Sequence, residues 1–285
     1  MGTVPEPEET APVPGVPDGG LAAVPDHAEL CPATWVAGVS DVGRVHHPNE
    51  DAMAAQVGEN HAVLVVCDGV SASTDAHLAS RLAADQTASK VHGWYSDADQ
   101  PQRQGSGAAL LEILTKVNAE VVALAPPDFS GTPPVCTLVA AVTDGSRLDF
   151  VSVGDTRLYW VPESGETVLP TIDDTMAQQA VGMGMSQTEA EAMFGSHTIT
   201  NWVGREDAAD DAQVGQLDIT GPGWVVLCSD GLWNYCPTAE ELGRLVLEAA
   251  WEASGDALEL ARHLVDWANA QGGRDNVTVV CARIA

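Results

Sequence analysis

Apolar residues occur along this chain in two rhythms, and the rhythms come in blocks rather than alternating one for one. Short continuous apolar runs at residues 34–40, 52–57, 61–67, 136–142, 148–153 and 157–161 predict strands. The run at 61–67 has no polar alternation after its first residue, which predicts a strand buried on both faces. Helical spacing takes over at 74–94, where Leu78, Leu82 and Val91 recur on one side. It returns from Gly105-Ser106-Gly107 to about residue 124, with Ser106 as the expected cap. Residues 173–201 are less regular, with helical stretches around Ala177 and Thr188. Strands are predicted again at 213–219 and at 224–228. Thr238 followed by Glu241 forms a capping box that starts a helix. Asp256 caps another, which runs to Asn269 and stops at Gly272-Gly273 before a last strand. Pairs of helices between groups of strands predict an α+β fold rather than repeated β-α-β units.

The first 30 residues break this pattern. They are rich in Pro, Glu and Gly with no period, so residues 1–30 are expected to be a disordered acidic tail and residues 31–285 one folded domain. A chain of 285 residues with 45% hydrophobic residues can bury a large core. Its net charge of −29 argues against nucleic acid as a partner, which needs a basic footprint, and against an anionic membrane surface. No basic and apolar leader opens the chain, and no run reaches the roughly 18 apolar residues of a membrane span, so a cytoplasmic protein is expected. Cys67, Cys228 and Cys281 fall within strand runs and read as small buried apolar residues, not a disulfide framework.

Three aspartates stand at the ends of these strands. The runs ending Val66-Cys67-Asp68-Gly69 and Cys228-Ser229-Asp230-Gly231 stop at Asp-Gly, while Asp275 in Gly273-Arg274-Asp275-Asn276 opens the last strand. Antiparallel strands with these ends can gather all three carboxylates at one sheet edge. Such carboxylates repel one another unless a cation sits among them. The donors are oxygens, with no Cys or His at zinc-finger spacing, which favours Mn²⁺ or Mg²⁺. Alone, each Asp-Gly could equally mark a turn. Residues 40–52, Ser-Asp-Val-Gly-Arg-Val-His-His-Pro-Asn-Glu-Asp-Ala, add the adjacent carboxylates Glu50 and Asp51.

At this point the chain resembles the metal-dependent protein serine/threonine phosphatases, type 2C, of bacterial kind. The resemblance runs in order through SDVGRVHHPNEDA, VVCDGVSAS, VCTLVAAVTD, VSVGDTRLYWV, VVLCSDGLW and GGRDNVTVV, over about residues 34–284. It implies a four-layer α-β-β-α sandwich, two stacked antiparallel sheets flanked by helix pairs, with a metal site at one end. It also implies that Asp68 bridges two metal ions, that the carbonyl of Gly69 joins it, and that Asp230 and Asp275 complete the binuclear Mn²⁺ or Mg²⁺ centre. Glu50 and Asp51 would hold the metal-bound waters, and Asn276 would order the loop beside Asp275. Asp155, in Gly154-Asp155-Thr156-Arg157, corresponds to the ligand of a third, weaker ion in some relatives, and reads equally as a hairpin cap. The implied reaction is in-line attack on phosphoserine or phosphothreonine by a hydroxide bridging two ions about 3.5–4 Å apart, with no protein nucleophile. The implied partners are phosphorylated proteins, among them a Ser/Thr kinase, and the chain would act as a monomer.

Three positions depart from the family pattern. His46 stands where many members use an arginine to grip the phosphate, with Arg44 two residues earlier and, in an extended strand, on the same face. Val70 replaces the eukaryotic general-acid histidine, which would leave protonation of the leaving group to a metal-bound water. Asn234 stands where many members carry another aspartate. The segment 183–202, with Met183, Met185 and Met193, corresponds to the flap beside the active site and is expected to be mobile. His61, His77 and His197 read as surface or structural histidines, and Ser40, Ser71, Ser73 and Ser229 as turn or capping residues. The alternative to an enzyme is a pseudophosphatase, a binding module that keeps the fold; three like charges held together argue against it.

Overall fold

The computed structural model describes residues 25–97 and 106–285. Ten strands form two antiparallel sheets. The first contains β1 (His27–Ala33), β2 (Val36–Asp41), β10 (Val277–Ile284), β9 (Gly223–Cys228) and β7 (Arg157–Pro162), in that spatial order. The second contains β3 (Ala52–Val57), β4 (Ala62–Cys67), β5 (Leu138–Thr143), β6 (Arg147–Val153) and β8 (Gln213–Asp218). Helices α1 (Ala76–Ser96) and α2 (Ser106–Val122) pack on the second sheet, α6 (Ala239–Glu252) and α7 (Ala257–Gln271) on the first.

The continuous apolar runs explain the layering. In β4, Ala62, Leu64 and Val66 face the opposite sheet, while Val63, Val65 and Cys67 face the helices. In β9, Val225 and Leu227 point between the sheets and Trp224, Val226 and Cys228 toward α6 and α7. A strand covered on both sides has no face left for polar residues. Burying each large apolar side chain contributes roughly 1.5–3 kcal/mol, so these central strands anchor whatever lies at their ends. The capping box of Thr238 and Glu241 forms, and the Asp256 carboxylate accepts from the backbone of Leu258 and Glu259 at 2.9 and 3.0 Å.

Several expectations need correction. Residues 27–30, assigned to the tail, belong to β1, which pairs with β2. An edge strand needs only one apolar face and tolerates Pro32, so its sequence looks like linker. Residues 1–24 lie outside the described residues, as does Gly105. Ser106 is itself helical rather than a cap outside α2, and its hydroxyl donates to Asp149 at 2.8 Å. Cys136 precedes β5 and makes only isolated bridges to Gly69 and Val203. The irregular region contains α3 (Met176–Gly182) and α4 (Gln187–Glu191) where helical stretches are predicted, and a one-turn helix, α5 (Asp230–Trp233), follows β9. No described helix is long and apolar enough to cross a membrane.

Candidate metal centre and active site

The three aspartates meet at one end of the sandwich, though not at the edge of a single sheet. Antiparallel pairing of β9 with β10 sets Val279 opposite Cys228, so Asp230, just past one strand, and Asp275, just before the other, lie side by side. Asp68 comes from the facing sheet, at the end of β4. The pairing of Cys67 with Ala52 sets Asp68 beside Asp51. The site therefore depends on the stacking of two sheets.

Glycine permits the crowding. A Cβ on Gly69 would lie 2.7 Å from the Glu50 carbonyl oxygen, and one on Gly231 only 1.9 Å from that of Asn276. Both Asp-Gly glycines thus let another backbone cross directly behind the aspartate. Asn276 fastens the loops together: its amide nitrogen donates to the Val42 carbonyl at 2.9 Å, and its amide oxygen accepts from the Glu50 backbone at 2.8 Å.

Burial and mutual repulsion dominate the electrostatics. Asp68 keeps some accessible surface but is enclosed on nearly all sides, and burial with the charges of Asp51, Asp230, Asp155 and Asp275 holds its pKa far above the usual carboxylate range. Asp230 rises to about 6 through burial and the charge of Asp275, against the opposing hydrogen bonds from Asn234 and Asp68. Asp51, fully buried, rises to about 7 for the same two kinds of reason. Its Oδ2 accepts from the Ser229 hydroxyl at 2.7 Å, whereas its Oδ1 is buried with no hydrogen-bond partner. Asp155 is also buried and raised, by burial first and then by Asp230. It follows Gly154 in the β6–β7 connection, so it is at once a hairpin residue and a member of the cluster.

Among the described residues, no three His, Cys, Asp or Glu side chains yet converge tightly enough to hold an ion as they stand. The donor set nonetheless suits a hard divalent cation: it is all oxygen, charged, close enough for Asp51, Asp230, Asp155 and Asp275 all to raise Asp68, and includes a buried carboxylate oxygen of Asp51 with no hydrogen-bond partner. A cation there would relieve the same repulsion that raises these pKa values.

The structure separates Arg44 from His46. Residues 43–48 do not form an extended strand and the chain bends at Arg44 and Val45, so the strand alternation that would set the two side chains on one face is absent. His46 is wedged, its ring nitrogens 3.8 Å from Glu50 Oε2 and from Asp275 Oδ1 and 3.2 Å from the Ser71 hydroxyl. Arg44 is exposed beside Gly273. Asn234, in the place of an aspartate, donates to Asp230 Oδ2 at 2.9 Å.

Sequence reasoning missed the hydroxyls behind the carboxylates. Ser229, read as a turn residue, donates to Asp51 and accepts from the Thr278 backbone at 3.0 Å. Ser40 accepts from Asn49 at 3.0 Å and from Thr278 Oγ1 at 2.8 Å, and Thr137 Oγ1 accepts from the Asp68 backbone at 3.1 Å. Hydroxyls interrupting otherwise apolar strand ends were the available signal. Arg157, paired with Asp173 at 2.7 Å and stacked 3.6 Å over Trp233, was missed too; the Trp233 indole donates to the Asp155 carbonyl at 3.0 Å. His61 is buried against His92 and Tyr95, away from the cluster, and Met183 and Phe194 of the flap region are fully exposed.

Comparison with known proteins agrees with this arrangement. The chain is 25% identical over 244 residues to the serine/threonine phosphatase stp of Listeria welshimeri, covering 85% of this chain and 92% of that protein. It is 30% identical over 261 residues to the serine/threonine protein phosphatase PstP of Mycobacterium tuberculosis, covering 86% of this chain and 44% of that one. The catalytic domain of a PstP solved in complex with two manganese ions superposes with a TM-score of 0.62 at 28% identity, over 88% of this chain and 98% of that one. Together with the fold, these define the class as metal-dependent protein serine/threonine phosphatases. The chain belongs to the protein phosphatase 2C family, whose profile matches residues 43–268.

Proposed function

We propose that this chain hydrolyses phosphoserine and phosphothreonine in phosphorylated proteins, a Ser/Thr kinase among them, using two Mn²⁺ or Mg²⁺ ions. Asp68, the Gly69 carbonyl, Asp230 and Asp275 would hold the two ions, and Asp155 a third. When bound, such ions supply an activated water for in-line attack on phosphorus and neutralise charge on the phosphoryl oxygens. The chain's own groups do the positioning. Ser229 and Ser71 orient the carboxylates of Asp51 and Glu50, which would accept protons from the metal-bound waters. Asn276 holds the loop of Asp275 against Glu50. Arg44, exposed at the rim, would meet the substrate phosphate, with His46, half-buried 3.8 Å from the Glu50 and Asp275 carboxylates, behind it. We place the enzyme in the cytoplasm as a monomer. The observation that carries this reading is the set of mutually repelling carboxylates brought together from two facing sheets. Hydrolysis of p-nitrophenyl phosphate and a phosphothreonine peptide should require Mn²⁺, stop with EDTA and return when Mn²⁺ is restored. Phosphopeptide binding with no turnover in excess Mn²⁺ would favour the pseudophosphatase instead.

The two readings of Asp155 separate by calorimetry. Asp155→Ala should lower phosphopeptide turnover by roughly 10- to 100-fold, the usual cost of disturbing a metal's surroundings, while two ions still bind tightly. Loss of a tight ion would place Asp155 in the binuclear centre itself.

A further inference from the structure

Positive charge is scarce in this chain, 12 Lys and Arg against 41 Asp and Glu, and most of it is neutralised at once. Among the described residues, every lysine and arginine but three has a carboxylate oxygen within 4.0 Å. The three are Arg44, Arg244 and Arg274. Arg244 sits on α6, whereas Arg44 and Arg274, 230 residues apart in sequence, stand on two loops joined at the active site. The backbone nitrogens of Arg44 and Val45 donate to the Gly273 carbonyl at 2.7 and 3.2 Å. Gly273, at φ +51°, lets the Arg44 stem pack against its backbone, where a Cβ would lie 2.6 Å from Arg44 Cγ. The backbone of Arg274 is held by the Tyr235 hydroxyl at 3.0 Å, and Asp275 follows it directly. Both arginines are exposed.

We propose that Arg44 and Arg274 form a cationic rim that selects phosphoserine or phosphothreonine flanked by Asp and Glu, making acidic phosphopeptides the preferred substrate class. The inference rests on the phosphatase reading of the site. One phosphate needs at most one clamp, and two guanidinium groups on joined loops exceed that need. An extended substrate advances about 3.3 Å per residue, so carboxylates one to three positions from the phosphoresidue fall within about 10 Å of the phosphate. Arginine suits them because its planar donors match a carboxylate in a two-bond fork. The chain's overall charge of −29 opposes acidic partners at long range, but salt screens it beyond about 8 Å, which leaves the local pair to decide docking.

The test uses the full chain with Mn²⁺ and three matched phosphothreonine peptides, flanked by Glu, Ala or Lys. Turnover and peptide affinity, by fluorescence anisotropy, are both read. The Glu peptide should be favoured over the Ala peptide by roughly three- to tenfold, about what two exposed charge pairs supply. The preference should sit in KM, not kcat, and should fade in high salt. Arg274→Ala should shrink it, and Arg274→Glu should shift it toward the Lys peptide, with p-nitrophenyl phosphate turnover following neither change. Equal affinity for the Glu and Ala peptides would overturn the rim. So would an Arg274→Ala loss shared equally by all peptides and p-nitrophenyl phosphate, which would make Arg274 a phosphate ligand. If no substrate turns over, the phosphatase reading fails, and the affinity ratio still decides the rim.

Discussion

Replacing Asp68, Asp230 or Asp275 with asparagine, one at a time, should abolish phosphate-ester hydrolysis while leaving the chain folded. The loss should exceed about 100-fold, the upper end of what an outer-sphere change costs at a metal site. Stability should move the other way. In chelator-stripped protein, Asp51 and Asp230 titrate near 7 and 6, above their unfolded range of about 4. Groups raised by folding contribute stability that is complete below the unfolded pKa and lost as pH rises through the folded one. Metal-stripped protein should therefore melt at a lower temperature at pH 8 than at pH 5, and Asp230→Asn should shrink that difference by removing a repelling charge. Calorimetry with EDTA and then with Mn²⁺ reads both effects. Near-full activity in Asp230→Asn with Mn²⁺ bound would remove this aspartate from the centre.

Gly231→Ala should damage both stability and turnover. The added Cβ would meet the Asn276 carbonyl at 1.9 Å, and backbone on both sides leaves no flexible side chain to yield. Overpacking of this kind costs about 1–3 kcal/mol, and relief here must push Asp230 and Asp275 apart. A melting temperature lower by roughly 3–10 °C is expected, together with a large loss of turnover that excess Mn²⁺ does not restore. Gly182→Ala is the control, since a Cβ there meets nothing within 4 Å. Equal behaviour of the two variants would show that the strands at Asp230 and Asp275 have room that their register denies.

Much of this fold is legible along the chain because its central strands are buried twice over. β4, β6 and β9 are predicted within a residue of their observed limits, since continuous apolar runs admit no other environment; the edge strands β3 and β7 are read as closely from their apolar residues. The capping box at Thr238 and the Asp256 cap are local hydrogen-bond chemistry and are equally readable. β1 is not: an edge strand with a proline and alternating exposure is stable only because β2 is there to pair with it. The short helix α5 likewise exists because β9 must turn at Ser229 to make way for the Asn276 backbone.

The site divides along the same line. The residue types, the Asp-Gly pairs and the Glu50-Asp51 doublet are sequence facts, and they identify the chemistry because like-charged oxygen donors in order imply a cation. Their placement is a tertiary fact. Asp68 belongs to one sheet and Asp230 and Asp275 to the other, so only the stacking of the sheets makes them neighbours. The same holds for Arg44 and Arg274, and for Arg44 and His46, where the bend at Arg44 and Val45 undoes the extended-strand expectation. Sequence alone determined which groups this protein carries and which strands are buried, because hydrophobic runs and caps act over a few residues. Tertiary structure alone decided which charges face one another, because repulsion, screening and hydrogen bonding act through space between residues that the chain keeps far apart.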